Sequence, residues 1–254
     1  MNLILAIILG LASGWLVNYL SDVLPVLRRF GRPACTHCGA SFQWKDYFLL
    51  RSCGECKQPR SWRTTLTLAA GPVIAVLLQI YPPPRFGSWL GLLVLTYFGV
   101  VLVIDLEHRM IMHIVSLGGA AIGLLAGVLA NGVAKTLFGG LAGLGIMLIF
   151  YLVGILFARY RARKRGVDDG EEALGFGDVT LSTVIGLILG WPLITTGLFI
   201  GVLAGGVISL VLVVALIASR RYESMNVFTA YGPYLLFGAA WVMFFPQAAR
   251  FLTG

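Results

Sequence analysis

Residues 179–219 form a run of 41 residues without a single Asp, Glu, Lys or Arg. Further uncharged runs cover 2–21, 64–84, 86–104, 114–134, 136–158 and 224–249. A helix needs about 20 predominantly apolar residues to cross a bilayer. The longest run therefore supplies two spans, broken at Gly190-Trp191-Pro192, and the others supply one each. The predicted fold is an all-α polytopic membrane protein with about eight transmembrane helices. A closed barrel is the other spanning solution, but these runs lack the alternation of a barrel strand. The chain is 58% hydrophobic and 12% charged, against about a quarter charged in soluble domains. The first run lacks a basic start and a small-residue cleavage site, so it is read as a retained span and not a signal peptide.

The net charge of +8 resembles a nucleic-acid footprint until its placement is considered. With the N terminus outside, the loops 22–63, 105–113, 159–178 and 220–226 face the cytoplasm and hold 8, 1, 5 and 2 Lys/Arg. Arg85, Lys135 and Arg250 fall on the other side, and all 11 acidic residues fall in the cytoplasmic loops. This is the positive-inside bias, so the expected partner is the lipid bilayer and not nucleic acid. An even number of spans also places the C terminus outside. Glycines inside the spans, Gly118, Gly119, Gly123 and Gly127, and Gly139, Gly140, Gly143 and Gly145, read as sites of close helix packing.

The loop after the first span is long enough to fold by itself. It carries Cys35-Thr-His-Cys38 and Cys53-Gly-Glu-Cys56, two CxxC pairs with 14 residues between them. Each pair can grip one side of a tetrahedral metal. Structural zinc on Cys35, Cys38, Cys53 and Cys56 is the leading reading, with disulfides or idle thiols as alternatives. In the cytoplasm disulfides are disfavoured. Four thiolates leave no open position, so such a metal holds shape and does not catalyse. His37 reads as a bystander.

Asp105 ends the apolar run "LTYFGVVLVID", and Asp178 ends "LGFGD", directly ahead of the longest run. Both are expected in cytoplasmic loops at the membrane boundary. For Asp105 the plain reading is a solvated loop carboxylate beside Glu107, His108 and Arg109. For Asp178 it is a helix N-cap behind two glycines. Ionisable residues at membrane depth are nonetheless functional candidates. If the two carboxylates meet, both cannot ionise easily and they share one proton. One partner then takes a proton from water while the other polarises a peptide carbonyl, which is aspartic-protease chemistry. Gly175 and Gly177 would let an extended peptide lie close to Asp178.

Gly175-Phe176-Gly177-Asp178 matches the GxGD motif of intramembrane aspartyl proteases. With "IDLEHRMI" upstream, the paired CxxC loop and "YGPYLLFGA" (Tyr231 to Ala239), the whole chain resembles the prepilin peptidase, or type IV leader peptidase, family. The resemblance implies Asp105 and Asp178 as the catalytic pair. It implies type IV prepilins and pseudopilins as substrates, cut at the cytoplasmic membrane face just before their hydrophobic helix. It also implies N-methylation of the new terminus from S-adenosylmethionine in many members, an activity associated with the N-terminal part. The expected organisation is residues 1–63 as first span plus metal loop, and 64–254 as the peptidase core.

The chain departs from the family pattern in places. Ile111-Met112-His113 stands where Ile-Pro-Asn or Ile-Pro-Asp is usual, and Thr180 stands where GxGDxK has lysine. Asn18, Trp44 and Asp46 retain parts of other family segments. The Arg-Tyr-Pro and Glu ahead of span 2 are replaced by "SWRTTLTLAAGP", which places methylation in question. Asp168, Asp169, Glu171 and Glu172 lie within ten residues of Asp178 and are candidates to attract a basic leader; the plain alternative is a solvated loop balancing the preceding arginines. Two rival functions remain: a catalytically silent pilin-binding relative, and a proton- or cation-coupled transporter. The transporter is disfavoured because the acids sit at one membrane face and no half-helix symmetry is evident.

Overall fold

The uncharged runs fold as helices because a backbone in lipid must satisfy its own hydrogen bonds. A computed structural model describes residues 2–35, 37–165, 175–219 and 231–249. Among them there is no strand, only an isolated bridge between Ala34 and Ser41. The chain divides into two compact units, residues 1–108 and 109–254.

The first unit contains α1 (Leu3–Leu27), the short α2 (Trp44–Phe48), α3 (Trp62–Ile80) and α4 (Gly87–His108). α1 and α3 run antiparallel in close contact. Gly10 faces Gly71 and Pro72, and Gly14 faces Thr67 and Leu68, so near that a Cβ on either glycine would strike the opposing backbone. Asn18, fully buried, donates from Nδ2 to the Thr64 carbonyl at 3.2 Å. α4 packs on α1 through Gly99 against Val17. The α3–α4 turn is closed by Ser88 Oγ donating to the Leu78 carbonyl, 2.8 Å.

The second unit contains α5 (His113–Asn131), α6 (Val133–Arg165), α7 (Phe176–Leu189), α8 (Leu193–Ala218), α9 (Gly232–Phe244) and a closing 3-10 turn (Pro246–Ala249). α7 is the hub, with ten of its 14 residues buried. α6 reaches it through Gly139 and Gly143, which stand against Gly186, Gly190 and Ser182; α5 reaches it through Gly123 and Gly127 against Leu187. α8 and α9 meet at Gly197, Gly201 and Gly238. The expected packing role of span glycines therefore holds at these positions, while Gly118 and Gly145 face open space. The expected break in the longest run is present: α7 ends at Leu189, Gly190 adopts φ +72°, and α8 begins at Leu193.

Six described helices are long and apolar enough to cross a membrane, and α7 and α9 are shorter apolar helices of 14 and 13 residues. The protein is thus an all-helical, multi-pass membrane protein. Two expected boundaries move. α4 continues through Asp105 to His108, and α6 carries its basic "RYRARKR" end as helix to Arg165. Local helix propensity of Arg and Lys extends a span past its last apolar residue. The acidic cluster Asp168, Asp169, Glu171 and Glu172 lies outside the described residues.

Candidate functional site

In the first unit Asp105 occupies the last turn of α4 and is only 5% exposed. The reading of it as a solvated loop carboxylate is overturned by that burial. It follows Val100, Val101 and Ile104, all buried, so the helix face that packs into the unit is the face that carries the carboxylate. Two residues on, Glu107 meets Arg63 Nε at 3.2 Å.

Arg63 opens a cluster that sequence reasoning missed. Asp22, near the end of α1, accepts from the Tyr47 hydroxyl at 2.6 Å, from Arg60 Nη2 at 3.1 Å and from Arg63 Nη2. Its side chain is 11% exposed. The Arg60 guanidinium also lies over the Tyr47 ring, 4.2 Å from its centroid, and over Phe42 at 4.9 Å. One carboxylate therefore ties α1, α2 and α3 together, and through Arg63 it reaches α4. Burial, with the Asp22 charge beside it, pushes the Tyr47 hydroxyl well above its usual range. The signal for this cluster was three charges adjoining apolar runs, Asp22, Arg60 and Arg63, which loop counting had treated as solvated.

The loop also brings its four cysteines together. Their sulfurs lie within 4.8 Å of one another, with Cys35 to Cys56 at 3.6 Å and Cys38 to Cys53 at 3.5 Å. Tetrahedral thiolates around zinc, with Zn–S about 2.3 Å, stand about 3.8 Å apart, so the set fits such an ion. Backbone amides of Cys38 and His37 pull the Cys35 thiol down to about 6, and those of Cys56 and Glu55 act the same way on Cys53. The Ala40 amide acts likewise on Cys38, but burial and the neighbouring thiols outweigh it and push Cys38 up to about 12. A bound cation would take all four sulfurs as thiolates. His37 is exposed and stands outside the four-sulfur set.

In the second unit Asp178 is the third residue of α7 and 9% exposed. Gly175, not Asp178, is the N-cap, and the Asp178 amide bonds back to the Gly175 carbonyl at 3.0 Å. The N-cap reading is thereby corrected. The first turn of a helix favours negative charge. The two glycines differ. A Cβ at Gly177 would press on Ile111, whereas one at Gly175 would meet nothing nearer than Asp178 Oδ2 at 3.8 Å. Gly177 lets the chain ahead of α5 pass close, and Gly175 leaves space beside the carboxylate. Thr180 donates to the Gly177 carbonyl at 2.8 Å and lies 3.1 Å from Ser116 Oγ, so a neutral hydroxyl pair joins α7 to α5.

A multi-pass helical protein with a buried aspartate closing one span and a GxGD aspartate opening another has the features expected of a membrane aspartyl peptidase of the GxGD kind. More narrowly, residues 89–210 match the type IV leader peptidase family. It is similar to a prepilin leader peptidase/N-methyltransferase of Burkholderia pseudomallei, 26% identical with 100% of this chain and 89% of the relative covered. Proteins of the same name from Aeromonas hydrophila and Klebsiella pneumoniae are 28% and 27% identical. The first match covers 83% of this chain and 70% of the relative, the second 72% and 82%. No solved structure matches.

Proposed function

We propose that the protein is a membrane aspartic endopeptidase that removes the leader peptide of type IV prepilins or pseudopilins, with Asp105 and Asp178 as its catalytic pair. The observation that carries the reading is the burial of both carboxylates, 5% and 9% exposed, each in the terminal turn of an apolar helix. Buried acids at span ends are functional candidates, and the family and its relatives supply the reaction class.

In the reaction the ionised carboxylate takes a proton from water, and the water oxygen attacks the scissile carbonyl carbon. The protonated partner gives its proton to the carbonyl oxygen. Collapse of the tetrahedral intermediate breaks the C–N bond as the leaving nitrogen takes a proton. Gly175 keeps space for an extended substrate backbone beside Asp178 and Gly177 holds the approach to α5. Asp168, Asp169, Glu171 and Glu172 draw the basic leader toward the site. The site works at the cytoplasmic face of a bacterial inner membrane, with both termini outside. Residues 64–254 form the peptidase core. Residues 1–63 carry a structural zinc on Cys35, Cys38, Cys53 and Cys56, which would brace the loop and take no part in bond cleavage.

For S-adenosylmethionine the residues do not fit as well. The groove between α1, α3 and α4, about 410 Å³, is lined largely by apolar side chains such as Val17, Leu66, Ile74 and Leu102. The hydroxyls of Thr67 and Thr96 in its wall are bonded to their own helices. Its remaining polar lining is Ser13, Ser61, Arg63 and Glu107, and no methyl-transfer step is assigned.

The test is cleavage of a prepilin by the purified chain in detergent, read by product mass. Wild type cuts and neither Asp105→Asn nor Asp178→Asn does. A variant that still cuts refutes the shared-proton pair. Adding S-adenosylmethionine reads methylation in the same spectrum, as about 14 Da on the product.

A further inference from the structure

Beside α1, α2 and its C-cap leave an apolar surface largely bare: Phe48 is 52% exposed, Leu49 63% and Trp44 42%. In water such a patch is a liability. Its depth tells what covers it. The uncharged run of α1 ends at Ser21, and Asp22 is the first charge. α3 runs antiparallel, with Asn18 opposite Thr64, so exposed Trp62 and the Asp22–Arg60–Arg63 cluster mark the same level from the neighbouring helix. Trp belongs at that level, where hydrocarbon gives way to headgroups.

α2 does not stand above this boundary. The Phe48 ring meets Trp15 edge-on, with centroids 5.2 Å apart, and Tyr47 meets Trp15 at 5.8 Å. Trp44 meets Tyr19 at 5.8 Å. Trp15 precedes Asp22 by seven residues, a rise of about 10 Å toward the bilayer centre. The loop thus lies down along the last turns of the span, and its free aromatic face reaches the depth of the upper acyl chains. Exposed basic residues lie on the same loop and where the chain leaves α1: Lys45, Arg28, Arg29 and Arg32, with Arg51 paired to Asp46 at 3.3 Å.

We propose that Trp44, Phe48 and Leu49 form an interfacial foot, inserted among the headgroups and upper acyl chains of the bilayer that α1 crosses, with the basic frame selecting anionic phospholipid. Aromatic and leucine side chains at this depth with a cationic rim are the physics of interfacial helices. The four-cysteine cluster, packed behind Phe42 and Tyr47, is thereby held at the membrane surface and not out in the solvent.

The wild-type chain is reconstituted in phosphatidylcholine vesicles containing a phospholipid with a photoactivatable diazirine near the top of its acyl chain. Adducts are mapped by mass spectrometry, without and with a third of the lipid as phosphatidylglycerol. The peptide spanning 44–50 is expected to carry adducts as α1 and α3 do, and to carry more with the anionic lipid. A double variant, Phe48→Asp with Leu49→Asp, loses adducts on that peptide and keeps them on α3. An unlabelled 44–50 peptide beside labelled α1 and α3 overturns the proposal and leaves a protein partner as the cover. Labelling indifferent to anionic lipid overturns the role of the basic frame, and labelling unchanged in the double variant overturns the foot. None of these readouts requires peptidase activity.

Discussion

Replacing Asp22 by alanine removes the acceptor on which Tyr47, Arg60 and Arg63 converge. The side chains of Arg60 and Arg63 are 12% and 14% exposed. Breaking a buried ion pair by deleting one partner costs about 3–5 kcal/mol, because the other charge stays buried. Here the orphans keep some support: Arg63 retains Glu107 at 3.2 Å, and Arg60 retains the rings of Tyr47 and Phe42. That puts the expected loss at the lower end, about 3 kcal/mol. Tyr47→Phe removes one hydrogen bond to a charged group and leaves both arginines paired, so it costs about 1.5 kcal/mol. The measurement is the unfolding free energy of the detergent-solubilised chain, titrated with a denaturing detergent. Adding Arg60→Met to Asp22→Ala removes one orphaned charge, so the double variant is expected to be less destabilised than the two single losses summed. An Asp22→Ala chain within about 0.5 kcal/mol of wild type, the range of an ordinary surface change, would refute the reasoning.

Three further outcomes follow from the same geometry. Gly186→Ala places a Cβ against the Gly139 carbonyl; overpacking of this kind costs about 1–3 kcal/mol, whereas Gly145→Ala, which meets open space inside α6, does not destabilise the chain in the same titration and gains up to about 1 kcal/mol from helix propensity. Cys35→Ser or Cys53→Ser abolishes stoichiometric zinc in metal analysis of the purified chain, and acidification releases zinc from wild type, since protons compete for the thiolates. Neutralising Asp168, Asp169, Glu171 and Glu172 together raises the KM for prepilin at low ionic strength and not at high salt, where the attraction is already screened; an unchanged KM at low salt removes the leader-attraction role.

The membrane helices were legible in the sequence because lipid imposes one rule, that an uncharged run of sufficient length must be a helix. The break at Gly190-Trp191-Pro192 was legible from local chemistry, because closely spaced Gly and Pro mark a turn, although single prolines, Pro25 and Pro72, are carried inside α1 and α3. The cysteine cluster followed from spacing alone. What the sequence hid was the extent of helix past the last apolar residue. Asp105 reads as loop because a charge ends the run, yet α4 continues one turn and buries it. Hydropathy marks where lipid ends, not where hydrogen bonding ends, and the difference of one turn decides whether a carboxylate is solvated or enclosed.

The Asp22 cluster was hidden for a related reason. Its members come from α1, α2, α3 and the chain just ahead of α3, up to 41 residues apart, and no periodicity links them. Three charges next to span ends look like ordinary anchors until antiparallel pairing of α1 with α3 sets them at one level. At that level the aromatic contacts of α2 accompany the ion cluster: Tyr47 reaches Asp22 while its neighbours Trp44 and Phe48 lie against Tyr19 and Trp15. The same ion cluster that looks like a solvated anchor therefore draws the metal loop down onto the span and leaves its other face to the lipid.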